Sequence, residues 1–160
     1  MQGRSGQDGQ DLVLDKRVFR LCATGGILAE ALAAAAELAQ QDIDARVLSV
    51  HTLKPLDSET LVRAAEETAG IVTLEEHTVD GGLGGAVAEV LLEQGAIPGF
   101  FHRIGLRQGF SSIVGSQDYL RTLYGMDRGA VVTKVLELLP PKTVSVRRHR
   151  RQVSVSRKAA

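Results

Sequence analysis

Glu75, Glu76 and His77 stand together directly after the apolar run Ile71, Val72, Thr73 and Leu74. A carboxylate beside an imidazole can perform general acid–base work, and His51, at the end of another apolar run, can reach the same rim if the two runs are strands of one sheet. Side chains alternate in direction along a strand, so Glu75 and Glu76 cannot both face one pocket. A solvated or partner-facing ion cluster is the commoner outcome for such a group, and it competes with the catalytic reading.

Two glycine-rich turns offer a second kind of chemistry. Thr24-Gly25-Gly26 lies between an apolar run and an alanine-rich stretch, and Asp80, Gly81, Gly82, Leu83, Gly84 and Gly85 lie between the polar crest Glu75-Glu76-His77 and another helical pattern. The start of a helix presents unpaired backbone N–H groups to an anion, which makes both turns candidates for a phosphate. Neither matches GxGxxG or GxxxxGK[ST], and glycines also serve to permit tight turns or to let a helix approach a sheet or a neighbouring chain. The candidate rim, for a ligand or an interface, is therefore Gly25, Gly26, His51, Glu75, Glu76, His77, Gly81, Gly82 and Gly84.

Other chemistries find little support. His77 and His102 fall on different elements and no HExxH motif occurs, so no metal site is expected. Cys22, the only cysteine, rules out an intramolecular disulfide and a cysteine-based zinc site, and its apolar surroundings predict an inert buried thiol. No GxSxG motif marks a serine nucleophile. Arg147, Arg148, His149, Arg150 and Arg151 can grip a nucleic-acid backbone, but no aromatic residue interleaves them to stack on bases. A solvated tail is expected there, and nucleic acid is not an expected partner.

The elements that must position these groups alternate in type. Val18, Phe19, Leu21, Cys22 and Ala23 read as a strand, and Ile27, Leu28, Ala31, Leu32, Ala35 and Leu38 then recur at helical spacing, with Leu32 expected on the sheet-facing side. Ala45 to Val50 is the next strand. Asp57 or Ser58 is placed to cap the helix that follows, and Gly70 to end it in a left-handed conformation. After the crest, Leu83, Val87, Val90 and Leu91 mark a helix closing near Gly95, and Phe100 to Leu106 a last strand. A short helix ending at Gly125 and a final one capped by Asp127 and stopped at Pro140 complete the pattern. Such alternation calls for a mostly parallel sheet with helices on both faces, and ligand or partner chemistry then gathers at the carboxyl ends of the strands.

The totals set limits. Residues 1–140 hold 12 Lys and Arg against all 19 Asp and Glu, a charge of −7, and residues 141–160 hold 7 basic residues and no acid. The expected organisation is a flexible lead over 1–10, one domain over 11–140 and a basic disordered tail over 141–160. No apolar run approaches the roughly 20 residues of a membrane span, and the polar start is unlike a signal peptide, so a cytoplasmic protein with no membrane partner is expected.

In register from about residue 10 to residue 139, VFRLCATGG, HTLKPLD, GIVTLEEHTVDGGLGGAVAEVL, HRIGLRQGF and LRTLYGMDRGAVVTKVLELL resemble the C-terminal domain of transketolase. The resemblance is most specific at Lys54-Pro55-Leu56-Asp57 and at Glu75-Glu76-His77 followed by Gly81-Gly82-Leu83-Gly84. Related domains end 1-deoxyxylulose-5-phosphate synthase and the beta subunits of 2-oxo acid dehydrogenases. It implies an α/β fold, a three-layer α/β/α sandwich on a five-stranded, mostly parallel mixed sheet, with Leu12 to Leu14 as the antiparallel edge strand. Gly26 stands where relatives often carry a hydroxyl residue, and Arg107 to Gly115 departs from the DxF-type sequence common there.

In that family of carbohydrate-metabolism enzymes, thiamine diphosphate and Mg are held between a diphosphate-binding and a pyrimidine-binding domain, and the activating glutamate belongs to the latter. The resemblance therefore implies no catalytic, cofactor-binding or metal-binding residue in this chain. It implies an assembly role, as the C-terminal subunit or section of a split transketolase-like enzyme in a dimeric assembly with chains carrying those two domains. The alternatives are a small-anion-binding regulatory module using the strand-end rim, and a truncated reading frame with a non-native tail. Glu76 and His77, as rim positions, are expected to tolerate replacement by Ala.

Overall fold

A computed structural model describes residues 18–107 and 112–139. Strand β1 (Val18–Ala23) leads through a 3-10 turn (Gly25–Ile27) into helix α1 (Leu28–Ala39), followed by β2 (Asp44–Ser49), α2 (Ser58–Glu67), β3 (Ile71–Thr78), α3 (Leu83–Glu93) and β4 (Phe101–Leu106). Helices α4 (Gln117–Leu123) and α5 (Arg128–Leu138) end the described chain. The strands lie in the order β2-β1-β3-β4, every pair parallel. The expected five-stranded mixed sheet is thus four-stranded and all-parallel among the described residues; Leu12 to Leu14, the expected antiparallel edge, lie outside them, as do residues 1–10 and 141–160.

Alternation along the strands feeds two cores. Phe19, Leu21, Ala23, Val72 and Leu74 pack with α1 and α5, whereas Cys22 and Ile71 pack with α2 and α3. Helices therefore cover both faces of the sheet. The chain steps from β1 outward to β2, then back across β1 to β3, so the ends of β1 and β3 meet where the winding reverses.

Local signals set the helix limits. Asp57 caps α2, accepting from Thr60 N at 3.0 Å and Thr60 Oγ1 at 2.8 Å, and Asp127 caps α5 through Ala130 N at 2.8 Å. Gly70 has a different role from the expected one. Helix α2 stops at Thr68, which adopts an extended backbone and donates its hydroxyl to Ala64 O at 2.7 Å. Gly70 instead makes room, since a Cβ there would lie 2.5 Å from the Phe100 ring.

Leu32 also corrects an expectation. The buried stripe of α1 is Ala31, Ala34 and Leu38, continuing from Ile27 of the preceding turn, and Leu32, turned by more than a quarter of the helix circumference, is 54% exposed. Apolar residues on nearly every side of α1 hid which stripe faces the sheet. Replacing Leu38 by Ala should cost about 2–5 kcal/mol, and replacing Leu32 by Ala less than about 1 kcal/mol, in urea unfolding.

Candidate functional site

The crest is built around an irregularity in β3. Leu74 pairs with Ile104 and Thr78 with Leu106, so four steps along β3 match two along β4. The two surplus residues make a bulge, a local kink that re-aims side chains at a strand end. Gly105 permits it: a Cβ there would lie 2.9 Å from the His77 carbonyl oxygen and 3.0 Å from Glu75 Cγ.

From the bulge the two glutamates take opposite directions. Glu75 is buried, 1% exposed, and its carboxylate accepts from Leu83 N at 2.8 Å and Gly84 N at 2.9 Å. It neutralises the unpaired N–H groups and the positive end of α3, so the second glycine-rich turn already holds an anion that belongs to the protein. The glycines accommodate it. A Cβ on Gly82 would sit 1.8 Å from Glu75 Oε2, and one on Gly84 would sit 2.7 Å from Thr73 Oγ1 and from the Arg103 stem.

Glu76 turns to the other face. Its Oε1 accepts from Arg121 Nε at 2.8 Å and from Gln117 Nε2 at 2.9 Å, and Oε2 lies 3.1 Å from the same Gln117 nitrogen. The Arg121 side chain is 8% exposed, and its Nη1 also reaches Glu30 at 3.5 Å and Asp118 at 3.8 Å. Glu30 in turn accepts from Arg128 N at 2.8 Å. One guanidinium therefore ties β3, α1 and α4 together, and Glu30 extends the link to the start of α5. The hydrogen bond from Arg121 holds the Glu76 carboxyl below its usual range, with burial opposing and Gln117 adding to the effect.

Some of the candidate residues meet and others do not. Gly26 comes against the Glu76 cluster, where a Cβ would lie 3.3 Å from Glu76 Oε2. Glu75, Gly82 and Gly84 form a separate, interior cluster, with Gly81 at the turn (φ +77°). Gly25 has a φ of +72° before α1. His77 is exposed, its Nδ1 3.1 Å from Thr78 O, and Glu76 directs its hydrogen bonds to Arg121 and Gln117 rather than to this imidazole. His51 lies beside β2 in a cleft of about 220 Å³ shared with Pro55 and Asp57. Burial raises the Cys22 thiol to about 12, in keeping with an inert core residue. Arg121, Gln117, Glu30 and Gly105 are the site residues that the sequence did not announce.

Both crest carboxylates are engaged within the chain, one by helix amides and one by a guanidinium. Such a donor set does not fit the Mg-diphosphate of thiamine diphosphate, which needs oxygen ligands free to bind a metal. Nor does any group of three or more His, Cys, Asp or Glu among the described residues have metal-site geometry. No helix there is long and apolar enough to cross a membrane.

Known proteins share this architecture and much of its sequence. The chain is 44% identical over 122 residues to the 6-deoxy-6-sulfo-D-fructose transketolase subunit SqwH of Clostridium sp. (strain MSTE9), covering 76% of this chain and 37% of that protein. It is 34% identical over 118 residues to an apulose-4-phosphate transketolase subunit of Actinobacillus succinogenes, covering 74% and 38%. The solved structure of a split-gene transketolase, an inactive beta4 tetramer, superposes with a TM-score of 0.68 at 41% identity, covering 76% of this chain and 39% of that one. The chain thus spans under two fifths of the length of these relatives. Residues 13–131 match the family described as Transketolase, C-terminal domain, and the chain belongs to that family.

Proposed function

We propose that this chain is the C-terminal-domain component of a split transketolase-like enzyme and acts in assembly, with ketol transfer carried out on partner chains that hold thiamine diphosphate and Mg. The observation that carries the reading is the engagement of Glu75 and Glu76 inside the fold: neither carboxylate is left to act as a base or a metal ligand. Relatives named as transketolase subunits support the division of labour. The alternative of a small anion held at the rim is weakened, because Glu75 already takes the amides of the second glycine-rich turn.

Mixing the purified chain with chains carrying the diphosphate-binding and pyrimidine-binding domains is expected to give a stable complex and to raise ketol-transfer activity. The chain alone is expected to show neither transfer nor saturable binding of thiamine diphosphate with Mg by calorimetry. Absence of a complex at micromolar concentration, or cofactor binding by the lone chain, would refute the proposal. His77→Ala, at an exposed position, should leave stability unchanged and weaken the complex if the crest faces the partner.

A further inference from the structure

Between the outer strand β4 and helix α5 lies a cleft of about 770 Å³, on the opposite face of the sheet from the Glu75 cluster. Its walls divide by chemistry. Ile104, Leu106 and Leu123 give an apolar side, Arg107 and Lys134 a cationic one with the His102 imidazole between them, and no Asp or Glu is among the described lining residues. The volume is that of a small-molecule site, which combines an apolar wall with a few placed polar groups.

The charged groups around His102 can be named in full. Arg107 Nη2 lies 3.4 Å from His102 Nε2 and donates to Arg103 O at 2.5 Å. Arg103 turns its head away, donating to Val79 O at 2.7 Å, and Lys134 pairs with Glu137 on α5. Burial first, then Arg107, Lys134 and Arg103, hold the His102 imidazole below its usual range, with Glu137 alone opposing. Arg107 therefore brings to the cleft a cation with no carboxylate partner among the described residues, and Lys134 one shared with Glu137, over an apolar floor.

We propose that this cleft binds a small molecule carrying a phosphate or similar oxyanion on an apolar body, the oxyanion meeting Arg107, Lys134 and His102 and the body lying on Ile104, Leu106 and Leu123. A guanidinium offers paired donors to an oxyanion and an ammonium a point charge, so the two cations complement each other. The bound anion would also favour the protonated imidazole.

The test is NMR titration of the full chain with inorganic phosphate and with phenyl phosphate, against sodium chloride at matched ionic strength. Saturable shifts at the His102 imidazole are expected with both, together with a rise in its pKa. Phenyl phosphate should bind roughly fivefold more tightly, the worth of about 40 Å² of apolar surface removed from water. Arg107→Gln and Lys134→Gln, both at positions away from the buried core, should each weaken the response severalfold. Shifts reproduced by chloride, equal affinity for the two probes, or a response retained in both variants would overturn the proposal.

Discussion

Glu75→Ala should destabilise the protein by about 3 kcal/mol, read as a fall in the urea midpoint with little change in slope. Two backbone N–H groups of α3 donate to this buried carboxylate, and removing it strands both donors. Hydrogen bonds to a charged acceptor are worth more than neutral ones, and the positive end of the helix loses its counter-charge. Glu75→Gln is the sharper variant. It keeps the volume but has a single acceptor oxygen, so one of the two amides faces an NH2 group, and about 2 kcal/mol should be lost. Gly82→Ala belongs to the same unit, because its Cβ would displace Glu75 Oε2. The double variant Glu75→Ala, Gly82→Ala should cost less than the sum of the single changes. Additive losses would mean that the carboxylate does not hold the start of α3.

Arg121→Ala should cost about 3 kcal/mol as well, by a different route. The buried guanidinium faces Glu76, Glu30 and Asp118, and without it Glu76 keeps only Gln117 and Glu30 only the Arg128 amide, so both carboxylates lose their counter-charge. The pH dependence identifies the interaction. Glu76 has a lowered pKa in the folded chain, so its contribution is present above its ordinary value of 4.5 and is lost as pH falls through the lower folded value. Arg121→Ala should therefore flatten the acid limb of the stability curve, whereas a variant that merely loosened packing would shift the curve without changing its shape. Glu76→Ala is expected to be costly too, contrary to the tolerance expected of a rim position, because it leaves Arg121 without its main partner. Replacement of His77, exposed and without such a partner, is still expected to be tolerated.

The order of strands and helices is legible because apolar runs, cap residues and, Gly70 apart, turn glycines agree from Val18 to Leu138. Asp57 and Asp127 are capping residues where their position and type indicated. The face of α1 was not legible, since alanines satisfy several stripes at once and only the sheet decides among them. Arg121 was invisible for another reason. It lies 45 residues from Glu76, and nothing local distinguishes a surface arginine from one folded over a carboxylate. The crest glycines stand out in the sequence but are ambiguous there: whether Gly82 makes space for a ligand or for the protein's own Glu75 depends on a side-chain direction set by the bulge.

That bulge also governs insertions and deletions. Its two surplus residues are an even number, so the inward and outward phase of β3 is the same on either side of it, and Glu75 and Glu76 keep opposite faces. Removing one residue beyond Glu75 would reverse that parity, so that the residues after the deletion change faces while Glu75, whose direction is set by the register of Ile71 to Leu74, keeps its own. Removing a pair would preserve phase while flattening the kink, and Gly105 would then face an ordinary ladder. Length changes at this crest are therefore expected to act by parity, two residues at a time, an effect that single substitutions do not produce.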